Sequence, residues 1–274
     1  MNVIPIGAGN TSGNPFGSLL RHWRQARRKS QLALALDADI SARHLSFVES
    51  GRAKPSRDMV LKLANTLGVP FRERNTMLTA AGYAHAYRET GLAEPELAQA
   101  RKAIELILAH QEPFPAVVMD RHWNLINANN SAKKFFAILL ADSAPTSPPN
   151  VLRLMLHPGG LRPWVANWET VAEALIQRVH REAIGGLLDQ TTIKLLDEIK
   201  SYPGVSEVLR APDLSAPVTP LLPIKFRKSK LTVDFFSAVT TLGTPLDVTL
   251  QEIRIECFFP ADEQTAAKAQ AGYI

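Results

Sequence analysis

The sequence is poor in residues that form covalent or metal cross-links. Cys257 is the one cysteine among 274 residues, which excludes an internal disulfide framework and a zinc site built from cysteines. The seven histidines are scattered without the spacing of metal ligands, so we expect no metal site. A chain without disulfides suits a reducing compartment, and we expect a cytoplasmic protein.

Long apolar runs and catalytic motifs are missing as well. No apolar run approaches the roughly 18 residues of a membrane-spanning helix, so we expect no membrane partner. Residues 1–15 lack the basic and then apolar pattern of a secretory signal and are predicted to form a disordered tail. The sequence contains no nucleophile elbow, zinc-protease motif or phosphate-binding loop. We therefore predict no catalytic residues, no cofactor and no enzyme activity.

Positive charge is concentrated in the first third of the chain. The net charge is +5, but residues 1–82 hold 12 basic and 5 acidic side chains, whereas residues 83–274 hold 19 and 21. The first third thus carries an excess of +7 and the remainder −2. This asymmetry favours two domains with a polyanion as partner of the first. A basic surface that maintains solubility explains the charge equally well.

The apolar pattern of residues 16–82 predicts five short helices. Helical spacing extends over 16–29, 31–37, 42–49, 56–67 and 70–82. Ser30, Ser41 and Ser56 stand at positions typical of helix N-caps. The second and third helices are joined by a turn of three or four residues, which is the arrangement of a helix-turn-helix motif.

These residues resemble the Xre-type, lambda-repressor-like family of DNA-binding domains. The agreement runs without a gap through Ser30-Gln31, Leu34-Ala35, Ile40-Ser41, Leu45-Ser46, Glu49, Gly51 and Pro55-Ser56. The resemblance implies a nucleoid-associated protein that binds a double-stranded DNA operator through the helix from Ser41 to Ser50. One departure is Asp39, which stands where the family usually has a turn glycine. Aspartate tolerates the left-handed conformation better than most residues.

The predicted recognition helix has an inner face with Leu45 and Val48. The outward residues predicted to contact bases are Ala42, Arg43, Ser46 and Phe47. A guanidinium such as that of Arg43 can donate two hydrogen bonds to guanine O6 and N7. Phe47 either touches a thymine methyl group or packs on the domain.

Contacts to DNA phosphates are predicted at Gln31, Ser41, Arg52 and Lys54. Gln31 matches the family position that holds a phosphate, and helix N-termini favour anions. Arg52 and Lys54 either contact the DNA backbone or are two solvated charges in a loop. Arg24 and Glu49 match the pair that joins the first and third helices in this family, which implies a structural role.

The second predicted helix carries an apolar pair, Leu32 and Leu36, where the family commonly has polar residues. The two side chains are four residues apart and therefore form a strip on one helix face. We expect this strip to contact the C-terminal domain or a second subunit. A homodimer would place two recognition helices about 34 Å apart on a palindromic site.

The sequence pattern of residues 83–274 predicts three segments. These are a linker at 83–94, a domain of mixed helices and strands at 95–263, and a C-terminal tail at 264–274. Strands are predicted at 115–120, 124–128, 221–227, 231–241 and 248–259, with helices at 95–110, 130–140, 151–156, 167–183 and 191–202. Loops are predicted at 142–150 and 203–220. This order suits an antiparallel sheet with covering helices, the PAS-like layout. We therefore predict a multi-domain α+β protein.

The same region resembles the MmyB-like ligand-binding domain that follows Xre-type modules in bacterial regulators. The matching stretches include Glu112-Pro-Phe-Pro-Ala116, Asp120-Arg-His-Trp-Asn124, Asn127-Ala-Asn129, His157-Pro-Gly-Gly-Leu-Arg-Pro163 and Ile255-Glu-Cys-Phe-Phe-Pro-Ala-Asp-Glu263. The resemblance implies a PAS-like fold with an apolar pocket for a small ligand, and long-chain fatty acids are a candidate class.

Large apolar side chains of this region are candidates either for the pocket or for the core: Met119, Trp123, Phe135, Met155, Trp164, Phe226 and Phe235. Arg162 either meets an anionic head group or forms a structural ion pair, for example with Glu169. The sequence thus predicts a ligand-responsive transcription regulator. The alternatives are an interaction module such as an antitoxin that represses its own operon, and an enzyme that acts on the pocket ligand.

Overall fold

A computed structural model describes residues 14–140, 149–184, 189–210 and 221–273. Most of the tail predicted at 1–15, and parts of the loops predicted at 142–150 and 203–220, lie outside these residues. Contacts divide the chain into two compact units. We call them the helical unit (Met1–Thr90, His180–Gln190 and Pro245–Gln251) and the sheet unit (Gly91–Val179, Thr191–Thr244 and Glu252–Ile274).

The helical unit contains the predicted five-helix region: α1 (Pro15–Ala26), α2 (Gln31–Asp37), α3 (Ala42–Ser50), α4 (Arg57–Thr66) and α5 (Phe71–Ala80). The hydroxyls of Ser30, Ser41 and Ser56 each accept the backbone N–H three residues on, which begins α2, α3 and α4. In the turn between α2 and α3, Asp39 adopts the left-handed conformation with φ +47°. The predicted helix-turn-helix fold is confirmed.

The start of α1 is bound closely to the end of α3. The Asn14 side chain accepts the Gly17 N–H at 3.0 Å and donates to the Val48 carbonyl at 2.8 Å. A Cβ atom on Gly17 would lie 2.3 Å from the Glu49 carbonyl oxygen, so only glycine permits this approach. The two helices are therefore fixed at a separation that a larger residue would prevent.

The first part of the predicted linker, 83–90, and the segment Pro245–Gln251 belong to the helical unit. The buried side chain of Asn75 accepts the Tyr87 N–H at 3.1 Å and donates to the Tyr87 carbonyl at 2.7 Å. Helix α5 begins after Pro70, which supplies no side-chain cap. Gln251 supplies it instead, because its Oε1 accepts the Phe71 N–H at 2.7 Å. Asp247 likewise accepts the Thr90 N–H at 3.1 Å.

The sheet unit contains one antiparallel sheet with the strand order β2-β1-β5-β4-β3. Its strands are β1 (Ala116–Met119), β2 (Leu125–Ala128), β3 (Ile224–Lys228), β4 (Leu231–Thr240) and β5 (Arg254–Pro260). Helix α6 (Ala98–His110) precedes the sheet, and α7 (Asn130–Leu140), α8 (Val151–Leu156), α9 (Trp168–Ile184), α10 (Gln190–Lys200) and α11 (Val205–Arg210) follow β2. The predicted multi-domain α+β fold, with helices in the first part and an antiparallel sheet with covering helices in the second, is confirmed.

Three predicted segments differ in the structure. The loop predicted at 203–220 contains helix α11 (Val205–Arg210), whose first residue, Val205, is fully buried. The strand predicted at 248–259 begins instead with helix α12 (Val248–Glu252), because the Asp247 carboxylate accepts the Thr249 N–H at 2.8 Å and caps a helical turn. The predicted tail, 264–274, contains helix α13 (Glu263–Gln270), which is capped by Asp262 and packs on β4 and β5.

The side chain of Asn129 joins three elements of the sheet unit. Its Oδ1 accepts the N–H groups of Ala116 and Ala132 at 3.0 and 2.9 Å. Its Nδ2 donates to the carbonyls of Phe114 and Leu108 at 2.8 and 3.3 Å. The end of α6, the start of β1 and the first turn of α7 therefore depend on one amide that is 6% exposed.

We predict that Asn129→Ala lowers the free energy of unfolding of the sheet unit by about 3 kcal/mol or more, because it leaves several buried backbone groups without partners. Urea unfolding followed by circular dichroism measures the change. Asn127→Ala is the matched control, since Asn127 is exposed and its side chain accepts only the neighbouring Ala128 N–H. Equal stabilities of the two variants would contradict the prediction.

Candidate DNA-contact surface and ligand cavity

The recognition helix α3 has buried side chains on one face and more exposed side chains on the other, as the sequence predicts. Leu45 and Val48 are fully buried. Ser41 and Arg43 are exposed, and the outward candidates Ala42, Ser46 and Phe47 are half-buried. The outward side of α3 is therefore partly exposed, and it is followed in the chain by the exposed residues Arg52 and Lys54.

The Phe47 ring lies close to two guanidinium groups. The Cζ atoms of Arg43 and Arg52 lie 5.4 and 5.6 Å from its centroid, which is cation–π distance. The Phe47 carbonyl also accepts the Arg52 N–H at 2.8 Å. Phe47 therefore positions both arginines, a role that the sequence analysis did not consider. The spacing of four residues between Arg43 and Phe47 on one helix is the signal that indicates it.

The predicted phosphate contacts have different surroundings. The Gln31 amide donates to Glu49 Oε2 at 2.7 Å, and the Ser41 hydroxyl accepts the His44 N–H at 3.1 Å. Lys54 Nζ lies 5.5 Å from the centroid of Tyr83, which places its charge at the surface beside an aromatic face. Arg52 and Lys54 are the exposed cations of this set, and Gln31 is half-buried.

Glu49 is a buried carboxylate at which three helices meet. Arg24 in α1 donates from Nε and Nη2 to its two oxygens at 2.6 and 3.0 Å, and Gln31 in α2 donates at 2.7 Å. Burial would raise the pKa of Glu49, but the hydrogen bonds from Arg24 and Gln31, with the charges of Arg24 and Arg21, hold it below its ordinary value. The carboxylate is 3% exposed and remains ionised because of these donors.

The sheet unit contains an apolar cavity of about 30 Å³ between one face of the sheet and helices α7, α8 and α9. Its walls include Val117, Leu125, Phe136, Val151, Leu154, Met155, Leu161, Leu175, Ile224, Phe226, Glu256 and Phe258. Of the residues that the sequence predicts for the pocket, Met155 and Phe226 line it. Met119, Trp123, Phe135 and Phe235 are buried, and Phe135 packs edge-on against Phe226 and Phe235 at 4.9 and 5.7 Å.

Arg162 and Trp164 lie away from the cavity walls. Arg162 lines a separate open depression of about 420 Å³, where its Cζ lies 3.6 Å from the Trp168 centroid and its Nη1 donates to the Pro203 carbonyl. Trp164 lies beneath Lys228, whose Nζ is 4.7 Å from the ring centroid. The expected partner Glu169 lines the same depression as Arg162.

Glu256 is the polar residue of the cavity wall that sequence reasoning missed. Its Oε1 accepts from Ser237 Oγ at 2.6 Å, and its Oε2 accepts from Arg178 Nη1 at 3.1 Å. The neighbouring Cys257 is buried, and burial, with the charge of Glu256, raises the pKa of its thiol. A protonated thiol is a poor nucleophile.

The described ranges contain neither a cluster of metal-binding side chains nor a membrane-spanning helix. No group of three or more His, Cys, Asp or Glu side chains is arranged to hold a metal ion within the residues that the structure describes. In that same part of the chain, no helix has the length and apolar character needed to cross a membrane.

Comparisons with known families identify both parts of the chain. Residues 20–74 match a helix-turn-helix family. Residues 100–271 match the family described as MmyB-like transcription regulator ligand binding domain. These are regulator families and not enzyme families. The chain belongs to the family of MmyB-like transcription regulators.

Two individual proteins are similar to this chain. An uncharacterized HTH-type transcriptional regulator, RghRB from Bacillus subtilis (strain 168), is 36% identical over 77 residues, which are 28% of this chain and 53% of that protein. The chain therefore spans about half the length of the curated relative that it matches. The structure of an RNA-binding Light-Oxygen-Voltage receptor aligns over 96% of this chain and 63% of that chain, with 11% identity and a TM-score of 0.30.

The Glu49 cluster makes the stability of the helical unit depend on pH. A depressed pKa means that the carboxylate contributes stability above the ordinary pKa of glutamate, and that this contribution is lost as the pH falls through the folded-state value. We predict that Glu49→Gln lowers the free energy of unfolding at neutral pH by about 3 kcal/mol, because the half-buried Arg24 loses its charged partner.

Urea unfolding at neutral and acidic pH measures both effects. The difference in stability between the wild type and Glu49→Gln is expected to shrink as the pH falls. Glu105→Gln, which changes an exposed glutamate of α6, is the matched control and is expected to change stability little. A difference that stays constant with pH would mean that folding does not lower the pKa of Glu49, contrary to the prediction.

Proposed function

We propose that this chain is a transcription regulator that binds a double-stranded DNA operator through α3 and responds to an apolar small molecule bound in its sheet unit. The observation that carries the proposal is the row formed by Arg43, Phe47 and Arg52 on a helix that Glu49 fixes to α1 and α2. A helix held in this way presents donors at fixed positions, which base recognition in the major groove requires.

The proposed base contacts come from Ala42, Arg43, Ser46 and Phe47, and the proposed phosphate contacts from Gln31, Ser41, Arg52 and Lys54. The exposure of Arg43, Arg52 and Lys54 supports contacts of these three side chains with DNA. Phe47 lies at cation–π distance from both neighbouring arginines and is the proposed contact to a thymine methyl group.

The proposed assembly is a homodimer with its recognition helices about 34 Å apart. Leu32 and Leu36, on the outer face of α2, support a subunit contact, because they are 60% and 71% exposed. An apolar pair of this kind on a monomer surface is favourable when a second copy covers it.

The proposed ligand site is the apolar cavity of the sheet unit. Its volume of about 30 Å³ is far below the roughly 300 Å³ or more of ordinary ligand pockets, so binding of an acyl chain requires wall side chains to move. Ligand binding would alter DNA affinity by favouring one dimer arrangement over another. Long-chain fatty acids are the class that the family resemblance suggests.

We predict different DNA-binding defects for Arg43→Ala and Lys54→Ala. Loss of Arg43 is expected to relax base preference at one position by about 1–3 kcal/mol, because a guanidinium contact to guanine carries sequence information. Loss of Lys54 is expected to weaken binding to all sequences and to lower the slope of log K against log salt by about one, because one phosphate contact is lost.

Fluorescence anisotropy with a selected operator and a scrambled duplex, titrated over a range of salt, measures both effects. Lys102→Ala removes an exposed lysine of α6 in the sheet unit and serves as the charge-matched control. Equal salt slopes for the wild type and Lys54→Ala would refute the phosphate assignment. Unchanged base preference in Arg43→Ala would refute the base assignment.

We predict that the double variant Leu32→Glu, Leu36→Glu dissociates the dimer, because four negative charges would face each other across the proposed contact. Sedimentation velocity measures the assembly size, and circular dichroism checks folding. Leu106→Glu, which alters a leucine of α6 that is 47% exposed, is the control for added surface charge. An unchanged size with intact folding would exclude α2 from the subunit contact.

A further inference from the structure

The segment Pro245–Gln251 belongs to the helical unit, although the residues on either side of it in the chain belong to the sheet unit. Strand β4 ends at Thr240 before this segment, and β5 begins at Arg254 after it. The two strands are neighbours in the sheet. The connection between two adjacent strands of the sheet unit therefore contributes residues to the helical unit.

Hydrogen bonds attach this segment firmly to the rest of the helical unit. They join the Phe71 N–H to Gln251 at 2.7 Å, the Thr90 N–H to Asp247 at 3.1 Å, and the Val248 N–H to the Arg88 carbonyl at 2.8 Å. Asp247 and Val248 are themselves buried. The segment is therefore packed into the helical unit and does not merely run over its surface.

Gln251 binds the helical unit at the start of α5. Phe71 is the first residue of that helix, so its N–H has no acceptor within the helix and depends on the Gln251 side chain. Helix α5 packs on α1 and α4, and α1 is joined to the recognition helix α3 by the pair Arg24 and Glu49. A change at Gln251 therefore reaches α3 through α5 and α1.

The next residue along the chain is held by the sheet unit. Glu252 Oε1 accepts from Arg121 Nη1 at 3.0 Å, and both side chains are less than one fifth exposed. Gln251 and Glu252 are the last two residues of α12, so one short helix carries both attachments. Strand β5 follows directly, and its residues Glu256 and Phe258 line the apolar cavity. Only five positions of one chain separate Gln251 from the cavity wall at Glu256.

We propose that α12 transmits the state of the cavity to the DNA-binding helices, with Gln251 as the positioning residue, a role that rests on the proposed ligand-binding function of the sheet unit. An acyl chain cannot enter a cavity of about 30 Å³ without displacing its walls. Strand β5 is paired along both edges, so its displacement moves α12 as well. The Gln251 acceptor then shifts relative to the Phe71 N–H, and the start of α5 responds.

A second element offers a rival route between the two units. Helix α9 contains the cavity residue Leu175, and from His180 onward its residues belong to the helical unit. The two routes are separable, because the route through α12 depends on the Gln251 side chain. Any ligand effect on DNA binding that passes through α9 is independent of that side chain.

Fluorescence anisotropy of the full chain with a selected operator, with and without saturating sodium dodecanoate, tests the proposal. We expect dodecanoate to change the operator affinity of the wild type by at least about fivefold, and that of Gln251→Ala by less than about twofold. Dodecanoate binding, measured by isothermal titration, and operator affinity without dodecanoate are expected to stay within about twofold of the wild type in this variant. Loss of the response with both binding sites intact is a result that a merely structural role of Gln251 does not produce.

Gln251→Glu is the matched control. Glutamate keeps an acceptor for the Phe71 N–H, and a carboxylate is favourable at the N-terminus of a helix. This variant is therefore expected to retain the response to dodecanoate.

Hydrogen exchange of the Phe71 N–H, measured by nuclear magnetic resonance, tests the route without any ligand. Glu252→Gln weakens the pair with Arg121 in the sheet unit. We expect the Phe71 N–H to exchange at least about threefold faster in this variant, because Gln251 is the neighbour of Glu252 on the same helix.

Two controls accompany the exchange measurement. The Ile40 N–H, which donates to the Ala35 carbonyl at 2.9 Å in the turn before α3, is the internal reference and is expected to keep its exchange rate. Glu263→Gln, which changes an exposed glutamate of α13, is the control for the loss of one negative charge.

The outcomes distinguish failure of this role of α12 from failure of the proposed function. A response to dodecanoate that is as large in Gln251→Ala as in the wild type would overturn the role of α12 and leave α9 as the route. Unchanged exchange of the Phe71 N–H in Glu252→Gln would overturn it as well. If dodecanoate binds without changing the operator affinity of the wild type, the proposed ligand response and its route both fail.

The exchange measurement decides in the two remaining cases. If dodecanoate does not bind while operator DNA does, the ligand part of the proposed function fails, and the Phe71 N–H alone shows whether α12 joins the two attachments. If Gln251→Ala does not fold, the same amide in Glu252→Gln gives the answer.

Discussion

The geometry of the helical unit depends on the burial of one carboxylate. Glu49 lies at the end of α3 and receives hydrogen bonds from Arg24 of α1 and Gln31 of α2. A buried charge is tolerated only with such partners, so any rearrangement of the three helices would expose the Glu49 carboxylate to solvent or leave it buried without its hydrogen-bond donors. Asn14 and Gly17 hold α1 against the same end of α3. The direction in which Arg43 and Phe47 point follows from these contacts.

Much of the fold is predictable from sequence because its signals are local. The capping serines Ser30, Ser41 and Ser56 define where helices begin, and each cap involves residues only three positions apart. The segment from Val248 shows where such reasoning fails. Its β-branched residues favour a strand, but the carboxylate of Asp247 caps the first turn and makes it helical. The helix cap supplied by Asp247 outweighs the weak strand propensity of the residues that follow it.

The ligand cavity is less predictable because its walls come from distant parts of the chain. Alternation in β5 places Glu256 on the face opposite Ile255 and Cys257, a pattern that is typical of a polar, solvated face. In the structure Ile255, Glu256, Cys257 and Phe258 are all buried, since both faces of the sheet are covered. Arg162 has the chemistry expected of a head-group contact but lies in another depression. The chemical character of a candidate residue can be identified from its type. Whether that residue lies in an enclosed cavity depends on the three-dimensional fold.

The segment Pro245–Gln251 has a consequence for how this regulator can be divided. The helical unit is discontinuous in sequence. Gln251 caps α5 at Phe71, and Asp247 accepts the Thr90 N–H; in both pairs the two residues are more than 150 positions apart along the chain. A truncation at residue 90, where the DNA-binding motif alone would place a cut, leaves the first turn of α5 without its acceptor. Chimeric regulators that exchange sensory parts at this boundary would therefore inherit a helical unit that is incomplete.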